Sequence, residues 1–490
     1  MGVKPINALI VPSPTQTRFK GIQLDQEVSG VSSDSRDCQG KIYFAIPGTR
    51  VDGHSFVASA LTNGAVAVVV ENESVFSQHS PAILVENVRK AYGEACSHWF
   101  GDPSKSLRVV GVTGTNGKTT TAYLLKAVWD ELHGTSGVIG TVNYWVGDQA
   151  RPAPLTTPGP GEVQSLLQEM TQKEVKRAVM EVSSIALDQL RVWGVEYDVA
   201  IFSNLTQDHL DYHQDFESYF LAKMRLFRDY PTKHHVVNGD DPFGQRLIAA
   251  FPDKTLSYGL HGEYHFTISN LVMGRNGSEG MVHTPVGDLP FQIPLIGEHN
   301  LYNFLSVVGA SYALGEELPK VIASLGHATG APGRLESVGI EGGPRVFVDY
   351  AHTDDALKNV LGAIRGVRGG DSGRIITVFG CGGDRDKTKR PKMAAVACSL
   401  SDVVIATSDN PRTENPDRIL DDVEKGIEAS GIEYHREVDR RKAIDLALSL
   451  AGPDDFVLIA GKGHETYQIL GTETVPFDDG QVVRRYYENH

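Results

Sequence analysis

The stretch RVVGVTGTNGKTTTAYLLKAVWDEL, residues 108–132, decides the fold. Residues 108–113 form a β-branched run that reads as a buried strand. Gly114 and Gly117 punctuate a turn, and apolar side chains recur at helical spacing after Lys118. Strand, glycine-rich loop and helix in that order make a phosphate loop, whose backbone N–H groups and helix N-terminus cradle phosphate oxygens. The expected nucleotide-binding residues are Gly114, Thr115, Asn116, Gly117, Lys118, Thr119 and Thr120. Lys118 would neutralise the β and γ phosphates of ATP, and the Thr119 hydroxyl would help to hold Mg²⁺. The strict pattern GxxxxGK[ST] asks for glycine where the chain has Val112.

Working outward, similar short runs alternate with helical patterns: AVAVVV (65–70), RAVMEV (177–182), DVAIFSN (198–204), RVFVDY (345–350), RIITVFG (374–380), DVVIATS (402–408) and DFVLIAG (455–461). The alternation predicts parallel sheets covered by helices, an α/β fold. A switch from apolar run to helical pattern near residue 88 and the Gly/Pro cluster GHATGAPGR (326–334) predict three domains. These are a small N-terminal domain (1–88), a central P-loop ATPase-like parallel sheet (89–333) and a C-terminal Rossmann-like α/β domain (334–490).

A formal net charge of −15 over 490 residues gives no broad positive field for nucleic acid or a membrane surface. A local cationic pocket near Arg385–Lys392 stays compatible with an anionic small molecule. Cys38, Cys96, Cys381 and Cys398 form no CxxC pair, which points to a reducing compartment rather than a disulfide or zinc framework. The N-terminal apolar run is short and broken by prolines, unlike a signal peptide, and no apolar span reaches membrane length. A cytoplasmic protein is expected.

Three further elements carry chemistry. Glu181 ends an apolar strand beside Ser183 and Ser184, where a carboxylate near a phosphate loop commonly holds Mg²⁺. Asp208, His209 and Asp211 leave the next strand together and could ligate a second metal. Lys223 lies in the amphipathic stretch SYFLAKMRLF and reads, on its own, as a lysine whose head group snorkels to water.

Taken together these segments resemble the Mur ligases, cytoplasmic enzymes that build the peptide stem of bacterial cell-wall precursors. The resemblance rests on GTNGKTT (114–120), MEVSS (180–184), NLTQDHLDYH (204–213), Ala222-Lys223, GEHNLYN (297–303), PGRLE (332–336) and DYAHT (349–353), in that order. It implies an ATP-dependent ligase that works through an acyl phosphate, with Lys118, Thr119 and Glu181 on the ATP–Mg²⁺ complex. It also implies His209 and a carbamylated Lys223 on a second Mg²⁺, which replaces the snorkelling reading. Asn300 is expected near the base, and Arg334 near the phosphates.

SSDSR (32–36), PGTRVDGHSF (47–56), FGCGGDRDKTKRP (379–391), DNPRTENP (409–416) and AGKGHETYQ (460–468) resemble the family branch that adds the third residue of the stem. The implied substrates are UDP-N-acetylmuramoyl-L-alanyl-D-glutamate and meso-2,6-diaminopimelate. Ser33, Ser35, Thr49, Arg50, Val51, Thr156, Thr157, Ser183, Gln189 and Arg191 are expected to hold the first. Arg385, Asp409, Asn410, Pro411, Arg412, Gly461 and Glu465 are expected to hold the second. An arginine in DNPR suits diaminopimelate, because its fork grips the distal carboxylate that lysine lacks. The alternatives are a lysine-adding relative and, from another class, a non-catalytic nucleotide switch. A monomer is expected. Leu155, Ile185 and Asp354 depart from the family's usual residues.

Overall fold

The computed structural model describes residues 2–10, 17–48, 51–340, 342–368, 373–427 and 431–489. Its backbone divides into two compact units, residues 1–258 with 309–316 and residues 259–308 with 317–490.

The first unit carries two larger sheets and a two-stranded antiparallel pairing of Lys4–Pro5 with Glu27–Val28. A five-stranded sheet runs in the order Arg18–Lys20, Ala82–Leu84, Ala67–Val70, Ile42–Phe44, Val31–Ser32, all parallel except the antiparallel edge strand Arg18–Lys20. The helix Val88–Phe100 covers it, burying Val88, Ala95 and Trp99 with Ile42, Phe44 and Val69.

The second sheet has eight strands, and Arg108–Thr113 lies inside it between Arg177–Glu181 and Tyr197–Phe202, parallel to both. Val109, Val110 and Val112 are fully buried there. Each contributes about 1.5–3 kcal/mol by leaving water, which is why the run is continuous rather than alternating. Gly111 has a packing reason: a Cβ there would sit 2.8 Å from the Tyr197 ring. In register, Glu181 pairs with Val112 and Phe202 with Thr113. The carboxyl ends of these three neighbouring strands therefore deliver the glycine loop, Glu181 and the Ser203–His209 segment to one edge of the sheet, the usual ligand side of a parallel sheet.

The second unit holds a six-stranded sheet in the order Glu336–Ser337, Arg345–Asp349, Phe456–Ala460, Ile375–Cys381, Val403–Ser408, Glu433–Arg436, parallel apart from the first strand. Asp349, Phe379 and Ala460 are level with one another, so the segments that follow them emerge side by side. A three-stranded antiparallel sheet, Thr267–Gly274, Gly277–Thr284 and Gly287–Ile293, belongs to the same unit. The α/β expectation holds, and all eight β-branched runs form strands. Among the described residues no helix is long and apolar enough to cross a membrane.

Candidate active site

In the first unit, the loop between Thr113 and Lys118 turns through positive φ at Gly114 (145°) and Gly117 (88°), the second capping the helix Lys118–His133. Gly114 also admits a close approach, since a Cβ would lie 1.9 Å from Ser203 Oγ. A clasp holds the loop from outside. Asn116 N donates to Asn204 Oδ1 at 3.0 Å, Thr115 N to the Asn204 carbonyl at 2.8 Å, and Thr206 N to Thr115 Oγ1 at 3.0 Å. These contacts support the loop although Val112 stands where the strict motif has glycine. Lys118 Nζ donates to the Gly114 and Thr115 carbonyls at 2.9 and 2.8 Å.

Thr119 Oγ1 donates to Glu181 Oε2 at 2.9 Å, and both residues are buried. The other side of the carboxylate is tied down by Thr141, whose N donates to Oε1 at 2.9 Å and whose Oγ1 donates to Oε2 at 3.0 Å. A hydroxyl and a carboxylate so placed are hard oxygen donors of the kind that hold Mg²⁺. Among the described residues, no group of three His, Cys, Asp or Glu side chains could bind a metal unaided.

Lys223 corrects its snorkelling reading. It is 1% exposed, and its Nζ donates to the Gly114 carbonyl at 2.7 Å while lying 4.5 Å from the Tyr219 ring centre. Burial, with repulsion from Lys118, pushes its pKa well below the usual lysine value. His209 faces the same Tyr219 ring at 6.2 Å, and its Nε2 lies 3.4 Å from Asp208 Oδ2. Lys223 and His209 thus flank one ring. An amine is no ligand for a hard cation, so a second Mg²⁺ fits this pair only if Lys223 is converted to a carboxylate.

Thr156, Thr157, Ser183, Gln189 and Arg191 lie together. Thr157 Oγ1 donates to the Glu181 carbonyl at 2.8 Å and accepts from Ser183 N at 3.1 Å. Arg191 donates to Gln189 Oε1 at 2.8 and 3.0 Å and to the Thr157 carbonyl at 3.2 Å. Burial lowers the pKa of the Arg191 guanidinium. Thr156 Oγ1 lies 3.1 Å from Thr141 Oγ1. Arg89, absent from the expected set, donates to the carbonyls of Gln189 and of Pro47, the latter within PGTRVDG. Ser33 bonds the Tyr92 hydroxyl, the Ser35 carbonyl accepts from Asn63 at 2.8 Å, and Val51 is largely exposed. Thr49 and Arg50 lie outside the described residues.

Two of the three departures have simple surroundings. Leu155 is half exposed, and its carbonyl accepts from Tyr144 Oη at 2.5 Å. Asp354 opens the helix Asp354–Arg368, where a carboxylate complements the helix dipole. Ile185 lies partly buried in the short helix Ser184–Asp188.

In the second unit, Asp409 and Asn410 are buried at the end of Val403–Ser408, and Arg412 follows at φ 53°. Arg412 Nη1 donates to the Gly383 carbonyl at 2.9 Å, while its Nε and Nη2 make no hydrogen bond among the described residues. Gly461 (φ 118°) leaves room for Asp409, whose Oδ2 would be 2.6 Å from a Cβ there. Asn410 Nδ2 donates to Glu465 Oε2 at 2.9 Å. Arg385 is exposed on the 382–388 loop. That loop is clamped by Glu414, which accepts from Asp384 N at 2.6 Å and from Arg390 at 3.0 and 3.1 Å. Arg334 lies 5.1 Å from the Tyr350 ring, its Nε buried and without a hydrogen-bond partner among the described residues. Burial raises the pKa of the neighbouring Asp349 carboxyl, which accepts from Leu335 N and Ala351 N at 2.7 and 2.8 Å. Asn300 is buried, donating to the Ile296 carbonyl at 2.9 Å and accepting from Asn303 at 3.0 Å.

Sequence reasoning missed Thr141, Asn204, Tyr219, Arg89, Asp349 and Lys462. Asn204, Asp349 and Lys462 stand inside quoted motifs and were within reach. Tyr219 lies one helical turn from Lys223 in the quoted stretch SYFLAKMRLF, whereas Thr141 and Arg89 carry no local signal.

Family models describe the same segments. The Mur ligase family, catalytic domain matches residues 27–99, the Mur ligase middle domain residues 112–311, and the Mur ligase, glutamate ligase domain residues 333–463. The chain is 44% identical over 486 residues to the UDP-N-acetylmuramoyl-L-alanyl-D-glutamate--2,6-diaminopimelate ligase of Thermosynechococcus vestitus, covering 98% of this chain and 97% of that one. It is 46% identical over 466 residues to the protein of that name from Gloeobacter violaceus, covering 94% of each. A solved structure of a ligase with this name superposes over 100% of both chains at 32% identity and a TM-score of 0.76. With its phosphate loop, its Thr119–Glu181 pair and full-length relatives at this identity, the chain belongs to the Mur ligase family.

Proposed function

We propose that the protein is a cytoplasmic ATP-dependent ligase. It joins meso-2,6-diaminopimelate to the D-glutamate carboxylate of UDP-N-acetylmuramoyl-L-alanyl-D-glutamate during peptidoglycan precursor synthesis. The observation that carries this reading is the Asp409–Arg412 and Gly461–Glu465 pair of loops. It combines the Glu465 carboxylate with an arginine fork whose Nε and Nη2 make no hydrogen bond among the described residues, in a chain 44% identical to a ligase of that name. Residues 1–88 form the dipeptide-binding domain, 89–333 the ATP-binding domain, which also lends residues to the dipeptide, and 334–490 the amino-acid-binding domain, which lends Arg334 to the nucleotide.

In the first step the dipeptide carboxylate attacks the γ-phosphorus of ATP in line, forming an acyl phosphate and ADP. Lys118 leaves its loop carbonyls for the phosphates and offsets the charge developing on the transferred group. Thr119 and Glu181 would hold one Mg²⁺, and His209 with carbamylated Lys223 a second; the ions would supply charge neutralisation at the phosphoryl oxygens. Burial favours the unprotonated Lys223 amine, the form that would add carbon dioxide, forming an N–C bond and releasing a proton. Asn300 and Arg334 contact the nucleotide. Ser33, Ser35, Thr49, Arg50, Val51, Thr156, Thr157, Ser183, Gln189 and Arg191 hold the dipeptide.

In the second step the unprotonated amine of diaminopimelate attacks the acyl carbon, and the tetrahedral intermediate expels phosphate. Arg412 and Arg385 bind its carboxylates, while Asp409, Asn410, Pro411, Gly461 and Glu465 line its ammonium side.

Phosphate release from ATP with purified protein and the UDP-muramoyl dipeptide tests this, comparing meso-diaminopimelate, L-lysine and no amino acid. Release that requires both the dipeptide and diaminopimelate is expected. Release driven by lysine would overturn the amino-acid assignment, and none with any combination would overturn the ligase.

A further inference from the structure

The amino-acid loops contain a cation to which the reaction above gives no task. Lys462 is 0% exposed. An ammonium taken fully out of water persists only where charge and hydrogen bonds replace its hydration. Its Nζ donates to Glu465 Oε2 at 2.9 Å and to Asn410 Oδ1 at 3.3 Å. Asn410 closes the triangle, because its Nδ2 donates to the same Glu465 oxygen at 2.9 Å and its Oδ1 also accepts from Ile469 N at 2.9 Å. Reversing that amide would set its NH₂ against two donors, so its orientation is determined.

The consequence falls on Glu465. Its Oε2 takes two donors, one of them charged, while Oε1 makes no hydrogen bond among the described residues. A glutamate with three rotatable bonds is thereby held in one orientation, with one oxygen spent and the other left for a ligand. Glu465 N also donates to the Lys462 carbonyl at 3.0 Å, which fixes the two side chains on one turn.

We propose that Lys462 is a positioning residue for amino-acid recognition: it anchors Oε2 of Glu465 so that Oε1 meets an ammonium of the incoming diamino acid. The inference rests on the reading of these loops as the diaminopimelate site. It makes a prediction of definite sign. Were Lys462 only a nearby positive charge, its removal would relieve repulsion and tighten binding of a cationic group. As an anchor, its removal lets Glu465 turn away, and binding weakens.

Initial rates of the full-length enzyme with diaminopimelate varied, and ATP and the dipeptide saturating, decide between these. Lys462→Met should raise KM for diaminopimelate roughly tenfold or more, with kcat and the KM for ATP little changed. Lys462→Arg should recover part of the loss. Combining Lys462→Met with Glu465→Gln should cost no more than Glu465→Gln alone, since both act on one contact. An unchanged or lower KM, a fall confined to kcat, or additive effects in the double variant would each overturn the proposal. If Lys462→Met does not fold, Lys462→Gln keeps a polar group in the buried site and removes the charge that grips Glu465 Oε2. It should raise the same KM without adding to Glu465→Gln, and a lowered KM or additivity there would overturn the proposal equally. Wild-type enzyme that ignores diaminopimelate defeats both this inference and the reading beneath it; diaminopimelate-dependent wild type with unaltered variants defeats the inference alone.

Discussion

Lys118 and Lys223 donate to one acceptor, the carbonyl oxygen of Gly114, at 2.9 and 2.7 Å. Two amines sharing an oxygen repel when both are charged, and burial together with that repulsion lowers the pKa of Lys223 below the ordinary lysine value. A nucleotide that draws Lys118 onto its phosphates relieves that crowding.

Lys118→Ala should therefore lose the first chemical step while keeping the fold. A fall in dipeptide-dependent ADP formation of about 10²–10³-fold is expected. Unchanged circular dichroism with a normal rate would remove Lys118 from the mechanism.

Thr141 carries no motif yet supplies two of the hydrogen bonds that orient Glu181, one from its backbone and one from its hydroxyl. Thr141→Val removes the second alone. Groups that orient a metal ligand are worth about 10–100-fold in metal affinity. The Mg²⁺ concentration giving half-maximal rate should rise by roughly tenfold, with KM for diaminopimelate unaffected.

Arg412→Ala should act on the amino acid alone. Hydrogen bonds to a charged partner contribute about 1.5–3 kcal/mol each, so KM for diaminopimelate should rise roughly 10- to 100-fold. The preference over L-lysine should shrink in parallel, read from the ratio of kcat/KM values. An intact preference would show that selectivity lies elsewhere.

Glu414 links acid stability to the 382–388 loop. The Arg390 guanidinium, aided by the Asp384 N–H, holds its carboxyl down at about 2 from the usual 4.5. A carboxyl with a depressed folded-state pKa adds stability above its unfolded pKa, and this is lost as pH falls from 4.5 towards 2. Unfolding free energies of wild type and Glu414→Gln should differ most at about pH 6, and the difference should shrink below pH 4.5 and close only at about pH 2 or lower. A constant difference across that range would mean that the charge of Glu414 is not what stabilises the loop.

Arg440 and Asp479 form an ion pair with no exposed surface, at 2.6 and 2.8 Å, and Arg440 also donates to the Ala460 carbonyl at 3.1 Å. Removing one member leaves the other charge buried and unpaired, which costs about 3–5 kcal/mol. Urea unfolding should show a loss of that size for Arg440→Met. Much of it should return in Arg440→Met/Asp479→Leu, where no lone charge remains.

The sequence by itself determined the strands, the phosphate loop and the family, because those signals are local. The continuous valine runs, the glycines at 114 and 117 and the ordered short motifs each need only a few neighbouring residues to be read. The partners were not legible, because strand order does not follow chain order. Gly137–Ile139 lies beside Arg177–Glu181, and only that pairing brings Thr141 to Glu181. Arg108–Thr113 lies beside Tyr197–Phe202, and only that brings Asn204 to the loop. Lys223 shows the limit most clearly. An amphipathic helix cannot report whether its lysine faces water, and the carbonyl that receives this one stands 109 residues earlier in the chain. Tertiary structure decided that, since parallel strands joined through helices set side by side groups that the chain keeps far apart.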